Sequence, residues 1–354
     1  MSCSRMVRSI APYDLMATLL ASEAAPARLV ERALSAPRRL WERTLVIEAC
    51  AVQFDRALRA SPVANRAPLW LRDLLCGATA QAVRQGLAVP RQITEIGAVA
   101  RECGIRVMVL KGAARLLAGG IPGGRTIADI DLLASASDAR RLHAALTHHL
   151  GYAPMSASPE HHLPTLTRPG GLAVEVHIRL GPRPTYLDTR IWRDVREVSG
   201  ADLVIPSPTA ALLHALEHGA LVHWAVRYRL RDLLDVAEGW TAAVDGDEVS
   251  TYADAHTHRG ALMTMLGGAR RFAAAIAVGR QTAWRTVRRV ARARHLVAAH
   301  VRDPARAKSL CIAAGVLAEG SPRALLRPAQ LALFGVEQAR IGPMKSPQGQ
   351  PGAA

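Results

Sequence analysis

The chain has 354 residues, half of them hydrophobic, few aromatics and a formal charge of +16. That length exceeds one ordinary hydrophobic core and predicts two domains or one domain with helical additions, while an apolar fraction this high excludes a disordered chain. The positive charge suggests an anionic partner, but the only lysines are Lys111, Lys308 and Lys345, so the excess is nearly all arginine spread along helix faces.

From about Pro12 to Leu87 apolar residues recur at three- and four-residue spacing, with prolines marking breaks, and predict an α-helical N-terminal region over residues 1–95. The texture changes after it. "RQITEIGAVARECGI" predicts an amphipathic helix ending near Gly104, "RVMVL" a short buried strand, and "AARLLAGG" one or two helical turns stopped by Gly119 and Gly120. After the loop "IPGGRTIA" come a strand in "DIDLLA" and a helix in "SASDARRLHAALTHHLGY", with a serine N-cap and a C-terminal glycine. "HHLPTLTRPGGLAVEVHIRL" predicts two strands joined by a turn at residues 168–171. These elements make a nucleus of α+β class over residues 96–182, a small mixed sheet with helices. Helices are expected again from Pro184 to about Glu337, giving a C-terminal helical region over 183–338, and the polar tail 339–354 is expected to be disordered. No segment has the roughly 18 apolar residues of a membrane span, and Asp14 interrupts the N-terminal apolar run, which argues against a signal peptide. The expected compartment is the cytoplasm. Cys3, Cys50, Cys76, Cys103 and Cys311 form no CxxC pair, so neither a disulfide framework nor a zinc site is indicated.

The chemistry concentrates in the middle segment. Alternation on a strand puts Asp129 and Asp131 on one face and Ile130 on the other. Two such carboxylates repel each other unless a cation lies between them, and a divalent ion is the economical answer; solvated aspartates at a strand end are the alternative. Glu175, His177 and Arg179 share a face of the later strand, opposite Val174 and Val176. If that strand lies beside the aspartates, Glu175 completes the carboxylate cluster that two-metal phosphoryl transfer requires. Lys111 and Gly112 stand where a strand enters a helix, a place suited to phosphate, and Arg125 could clamp a phosphate or carboxylate.

Together "VLKGAARLL", "GGRTIADIDLLASASDARRLHAALTHHLGY" and "LAVEVHIRL" resemble the uncharacterised nucleotidyltransferase family of the polymerase-β-like superfamily, closely from Ile105 to Leu180 and more loosely over the C-terminal helices, where His218, Arg229 and Asp235 fall on the pattern. The resemblance implies a small mixed sheet flanked by helices, Mg²⁺-dependent (or Mn²⁺-dependent) transfer from a nucleoside triphosphate, and Asp129 and Asp131 as metal ligands. With Glu175 they make the expected catalytic and metal set, Lys111, Gly112 and Arg125 the phosphate set, and His177, His218 and Arg229 the substrate or supporting set. It further implies a small-molecule or peptide acceptor, in natural-product or polysaccharide biosynthesis. Two alternatives stay open: transfer of another phosphorylated or glycosyl group at the same site, and a non-catalytic nucleic-acid- or protein-binding module built on the basic stretch from Arg280 to Ser309, which lacks aromatic interleaving.

Overall fold

The computed structural model describes residues 10–155, 161–181, 184–222, 228–279, 282–300 and 310–311. The expected tail 339–354, and the basic stretch beyond residue 300, lie outside them.

Four helices open the chain: α1 (Ala11–Leu20), α2 (Ala27–Leu34), α3 (Arg38–Glu48) and α4 (Ala51–Arg59). Pro26 and Pro37 stand immediately before α2 and α3, where a missing N–H costs nothing. The next helix, α5 (Leu69–Glu102), corrects the expectation of a break ahead of "RQITEIGAVARECGI", because it runs on through Pro90. An internal proline costs about 3 kcal/mol, but Val89, Ile93 and Ile96 on either side are fully buried, and their packing outweighs it. Residues 95 and 96, the expected boundary between regions, both lie inside this helix.

The sheet follows: β1 (Met108–Val109), α6 (Lys111–Leu117), β2 (Asp129–Leu133), α7 (Ala136–Leu150), β3 (Ala153–Pro154), β4 (Leu166–Thr167) and β5 (Ala173–His177). Ser135 caps α7 by accepting from the Asp138 N–H, and Gly151 ends it in the left-handed conformation. The region after Pro184 is not all helix. After the short α8 (Leu187–Arg190), β6 (Arg196–Val198) and β7 (Leu203–Ile205) form a hairpin, and β7 joins β1 in parallel. Three-residue strands carry too few alternations to register as a period, which is why sequence pattern misses them. The seven strands run in the order β3-β4-β5-β2-β1-β7-β6 in one mixed sheet.

Helices α9 (Pro208–Glu217), α10 (Leu230–Gly239), α11 (Gly246–Ala255), α12 (Arg259–Ala269) and α13 (Ala283–His300) complete the described chain. One core lies between the sheet face carrying Ile130, Leu132, Val174 and Val176 and helices α5 and α7. A second joins Met108, Leu110 and Leu133 to α9, α10 and α12. The third packs Tyr13, Trp41 and Phe54 of the N-terminal helices with Leu230 and Leu234 of α10 and Ala291 of α13. The N- and C-terminal helices therefore share a core. Within α13, Val287, Val290, Ala291, Arg294 and His295 are buried, so one face of the basic stretch is committed to the interior rather than offered to nucleic acid. Among the described residues no helix is long and apolar enough to cross a membrane.

Gly97 fixes how closely α5 approaches the sheet. A Cβ there would lie 1.7 Å from the Ala201 carbonyl oxygen, a backbone atom just ahead of β7. Gly97→Ala is expected to destabilise the fold by at least about 1–3 kcal/mol, the usual cost of overpacking, read as a lowered urea midpoint with an unchanged slope.

Candidate functional site

β2 and β5 pair in parallel with Asp131 opposite Glu175 and Leu133 opposite His177. Because Ile130, Leu132, Val174 and Val176 fill the core beneath, the other face of these strands carries Asp129, Asp131, Glu175 and His177. Asp131 is 1% exposed and accepts hydrogen bonds from Lys111 Nζ at 2.6 Å and His177 Nε2 at 2.9 Å. His177 Nε2 is also 3.6 Å from Glu175 Oε2, and His162 Nε2 is 3.8 Å from the same oxygen. A bridge between His162 and His177 lays the histidine segment alongside β5. Asp131, Glu175 and His177 present ligand atoms all within 4.8 Å of one another, the group of described residues that could hold a metal ion.

Lys111 reaches Asp131 from an unusual backbone. It is the first residue of α6 and has φ +49°, a left-handed conformation that costs a non-glycine residue about 1–2 kcal/mol. The preceding Leu110 N–H donates to the Asp131 carbonyl at 2.9 Å, which locks the turn to β2. Burial pushes the Asp131 carboxyl up, but Lys111 and His177 outweigh it and hold this group well below the carboxylate range. Burial likewise opposes the charge on Lys111 and His177, and there the carboxylates win, so both are held above their ordinary values. The repulsion expected between the two aspartates falls on Asp129, whose carboxyl is pushed up by burial and by the Asp131 charge. Glu175 is held low chiefly by the neighbouring imidazole of His177.

These groups form one wall of a cavity of about 1240 Å³. The rest of the lining comes from α6, the loop before β2, α9 and α10. There Asp235 accepts from Arg125 at 2.9 Å and Arg115 at 3.0 Å, Arg115 reaches Glu238 at 3.1 Å, and Arg231 stands 3.8 Å from the other Asp235 oxygen. Arg229 grips Asp232 with two bonds of 2.9 and 3.0 Å. His214 lines the cavity from α9, its ring pushed down to about 3 by burial and by the charge of Lys111, and therefore neutral.

A family model described as "Uncharacterised nucleotidyltransferase" matches residues 54–274. The chain belongs to this family. The matched segment begins inside α4 and ends beyond α12, so it includes the whole sheet and the cavity lining of this nucleotidyltransferase-family protein. No curated protein matches it. Among solved structures, an antigenic nucleotidyltransferase-like protein from Paracoccidioides brasiliensis is 20% identical, with 52% of this chain and 88% of that chain covered at a TM-score of 0.38.

Of the expected site residues, Asp129, Glu175, His177, Lys111, Arg125, His218 and Arg229 all line the one cavity, and Asp131 lies buried in its sheet wall against Lys111 and His177. Gly112 does not reach the main cavity. It lies under Arg125, whose guanidinium carbon would be 3.4 Å from a Cβ there, and lines an adjoining hollow of about 170 Å³. The geometry also recruits residues outside the expected site set: His162 beside Glu175, the neutral His214, and Arg115 and Arg231 around Asp235. Arg115 follows Lys111 by four residues, one helical turn on the same face, and that spacing was the legible signal for it.

Proposed function

We propose that this family member transfers a nucleotidyl group from a nucleoside triphosphate to a hydroxyl or phosphate of a small-molecule or peptide acceptor, in the cytoplasm, where such nucleotides are supplied. The observation that carries the reading is the convergence of Asp131, Glu175 and His177 on registered parallel strands, with Asp129 alongside and the cavity above. The donor set fits a divalent ion. Three carboxylates face Lys111 and His177, and the raised Asp129 carboxyl marks negative charge that a further cation would relieve. Oxygen ligands suit Mg²⁺ or Mn²⁺.

Asp129, Asp131 and Glu175 would hold the metal. Bound there, it would favour the ionised acceptor oxygen and neutralise phosphate charge. In the reaction the acceptor oxygen bonds to the α-phosphorus while the bond to pyrophosphate breaks, and the proton leaves toward the half-buried Glu175 carboxylate. Lys111 and His177 keep Asp131 ionised and fixed in place. The cavity exceeds the roughly 300–1,000 Å³ typical of a single small-ligand pocket, which supports two substrates side by side.

The test has two parts. Mn²⁺ or Mg²⁺ should raise the melting temperature of the wild-type protein, and Glu175→Gln should reduce that rise. Labelled nucleoside triphosphates offered with hydroxyl-bearing small molecules and peptides should then give metal-dependent label transfer. A protein whose melting ignores both ions and that transfers label from no nucleotide would refute the reading.

A further inference from the structure

In the cavity lining supplied by α6, the loop at Arg125 and α10, Arg115, Arg125, Arg229 and Arg231 stand against three carboxylates, Asp232, Asp235 and Glu238. Arg115, Arg125 and Arg231 all converge on Asp235. Arg125 and Arg115 take one oxygen of that carboxylate at 2.9 and 3.0 Å, and Arg115 has Glu238 as a second partner. Among the described residues Arg231 has one carboxylate within 4 Å, Asp235 at 3.8 Å, longer than a hydrogen bond. Its neighbour Asp232 is already gripped twice by Arg229. Arg231 is nevertheless largely shielded, its side chain 22% exposed, and it faces the cavity. Among the described residues the buried Nε of Arg125 finds no hydrogen-bond partner.

A guanidinium withdrawn from water without close counter-charge is unfavourable unless an anion completes it. Its forked donors match phosphate oxygens in pairs, which a lysine does not reproduce. On the sheet wall Lys111, the sequence's first choice for a phosphate ligand, is occupied by Asp131. We propose that Arg231, with Arg115 and Arg125 beside it, is the seat for the polyphosphate chain of the nucleotide. This rests on the nucleotidyl-transfer reading of the same cavity. Consistent with the geometry, burial and the neighbouring Arg125 charge already hold the Arg231 pKa below its ordinary value, the sign of a cation short of partners.

The test is calorimetric binding to the full chain in EDTA, where no metal can recruit phosphate to the carboxylate wall. The probes are inorganic tripolyphosphate, a nucleoside triphosphate and the matching monophosphate. Tripolyphosphate should bind and compete with the triphosphate, while the monophosphate should compete poorly. Arg231→Ala should weaken tripolyphosphate binding at least tenfold, Arg231→Lys by less, and Arg140→Ala, on the exposed face of α7, should not change it. The unliganded Arg231→Ala protein should melt no lower than wild type, because an under-partnered cation has been removed. Wild-type affinity in Arg231→Ala, or melting temperatures that fall in step with affinity across both variants, would overturn the seat. The two readings separate cleanly. Metal-dependent transfer that survives Arg231→Ala leaves the catalytic assignment and removes the seat; Arg231-dependent tripolyphosphate binding without any transfer leaves the seat and removes the catalytic assignment.

Discussion

Asp131→Asn is expected to lower nucleotidyl transfer at least about a thousandfold, at or beyond what loss of one preorganised electrostatic group costs an active site. The size follows from what Asp131 touches. Its carboxylate is the common partner of Lys111 and His177 and lies beside Glu175, so its charge organises the whole sheet wall. The same substitution should also lower the melting temperature in metal-free buffer. Asp131 is held well below its usual range, so its charged form stabilises the fold above the ordinary carboxylate pKa, and that contribution is lost only as pH falls through the depressed folded value. At neutral pH, asparagine leaves the buried His177 and the half-buried Lys111 without the charge of Asp131. Asp129→Asn should behave oppositely in that buffer. The Asp129 carboxyl is pushed up by burial and by Asp131, so its charge opposes folding above the raised pKa, and removing it should leave stability unchanged or higher. Thermal melts of the two variants in EDTA, together with turnover in Mn²⁺, check both halves. Equal melting shifts would mean that the two aspartates share one environment, against the geometry.

Sequence pattern alone reaches the pairing of Asp129 with Asp131 and of Glu175 with His177, because strand alternation has a fixed period and the apolar partners Ile130, Val174 and Val176 leave one choice of face. It does not reach the partner of Lys111. Spacing shows that a lysine opens α6, but only the left-handed turn at that residue aims its amine at Asp131 instead of the open cavity. The hairpin of β6 and β7 escapes because its strands are three residues each, and the continuity of α5 escapes because Pro90 is a local breaker overruled by long-range packing. Arg231 is hidden for a related reason. A chain in which arginine covers most helix faces gives no local sign of which guanidinium turns inward, and the shared use of Asp235 exists only once α6, the loop at Arg125 and α10 have met.

The same limit applies to Glu48, where the largest stability effect is expected. Glu48 ends α3 fully buried, and three elements close on it: Arg294 and His295 from α13, the imidazole at 2.9 Å, and the Leu230 N–H at the start of α10 at 2.8 Å. Burial pushes this carboxyl up, but the Arg294 charge, the His295 hydrogen bond and the Leu230 N–H together bring it down to about 2, against an ordinary 4.5. At 1.36 kcal/mol per tenfold, that gap corresponds to about 3 kcal/mol of stability. Glu48→Gln should therefore cost about 3–5 kcal/mol at pH 7, since the buried Arg294 loses the charge of Glu48, whereas Glu48→Leu combined with Arg294→Met should recover much of the loss. The sign of the pH dependence is fixed by the depressed value: the contribution is complete above about pH 4.5 and disappears as the carboxylate is protonated toward pH 2. Urea midpoints of wild type and Glu48→Gln should accordingly approach each other as pH falls from 5 toward 2. Curves that stay parallel from pH 5 down to pH 2 would show that Glu48 is not the anchor. Because its second oxygen holds the first turn of α10, beside Arg229 and Arg231, Glu48→Gln should also weaken tripolyphosphate binding at pH 7 under conditions where the variant remains folded, a coupling between the helical core and the cavity wall that neither residue reveals alone.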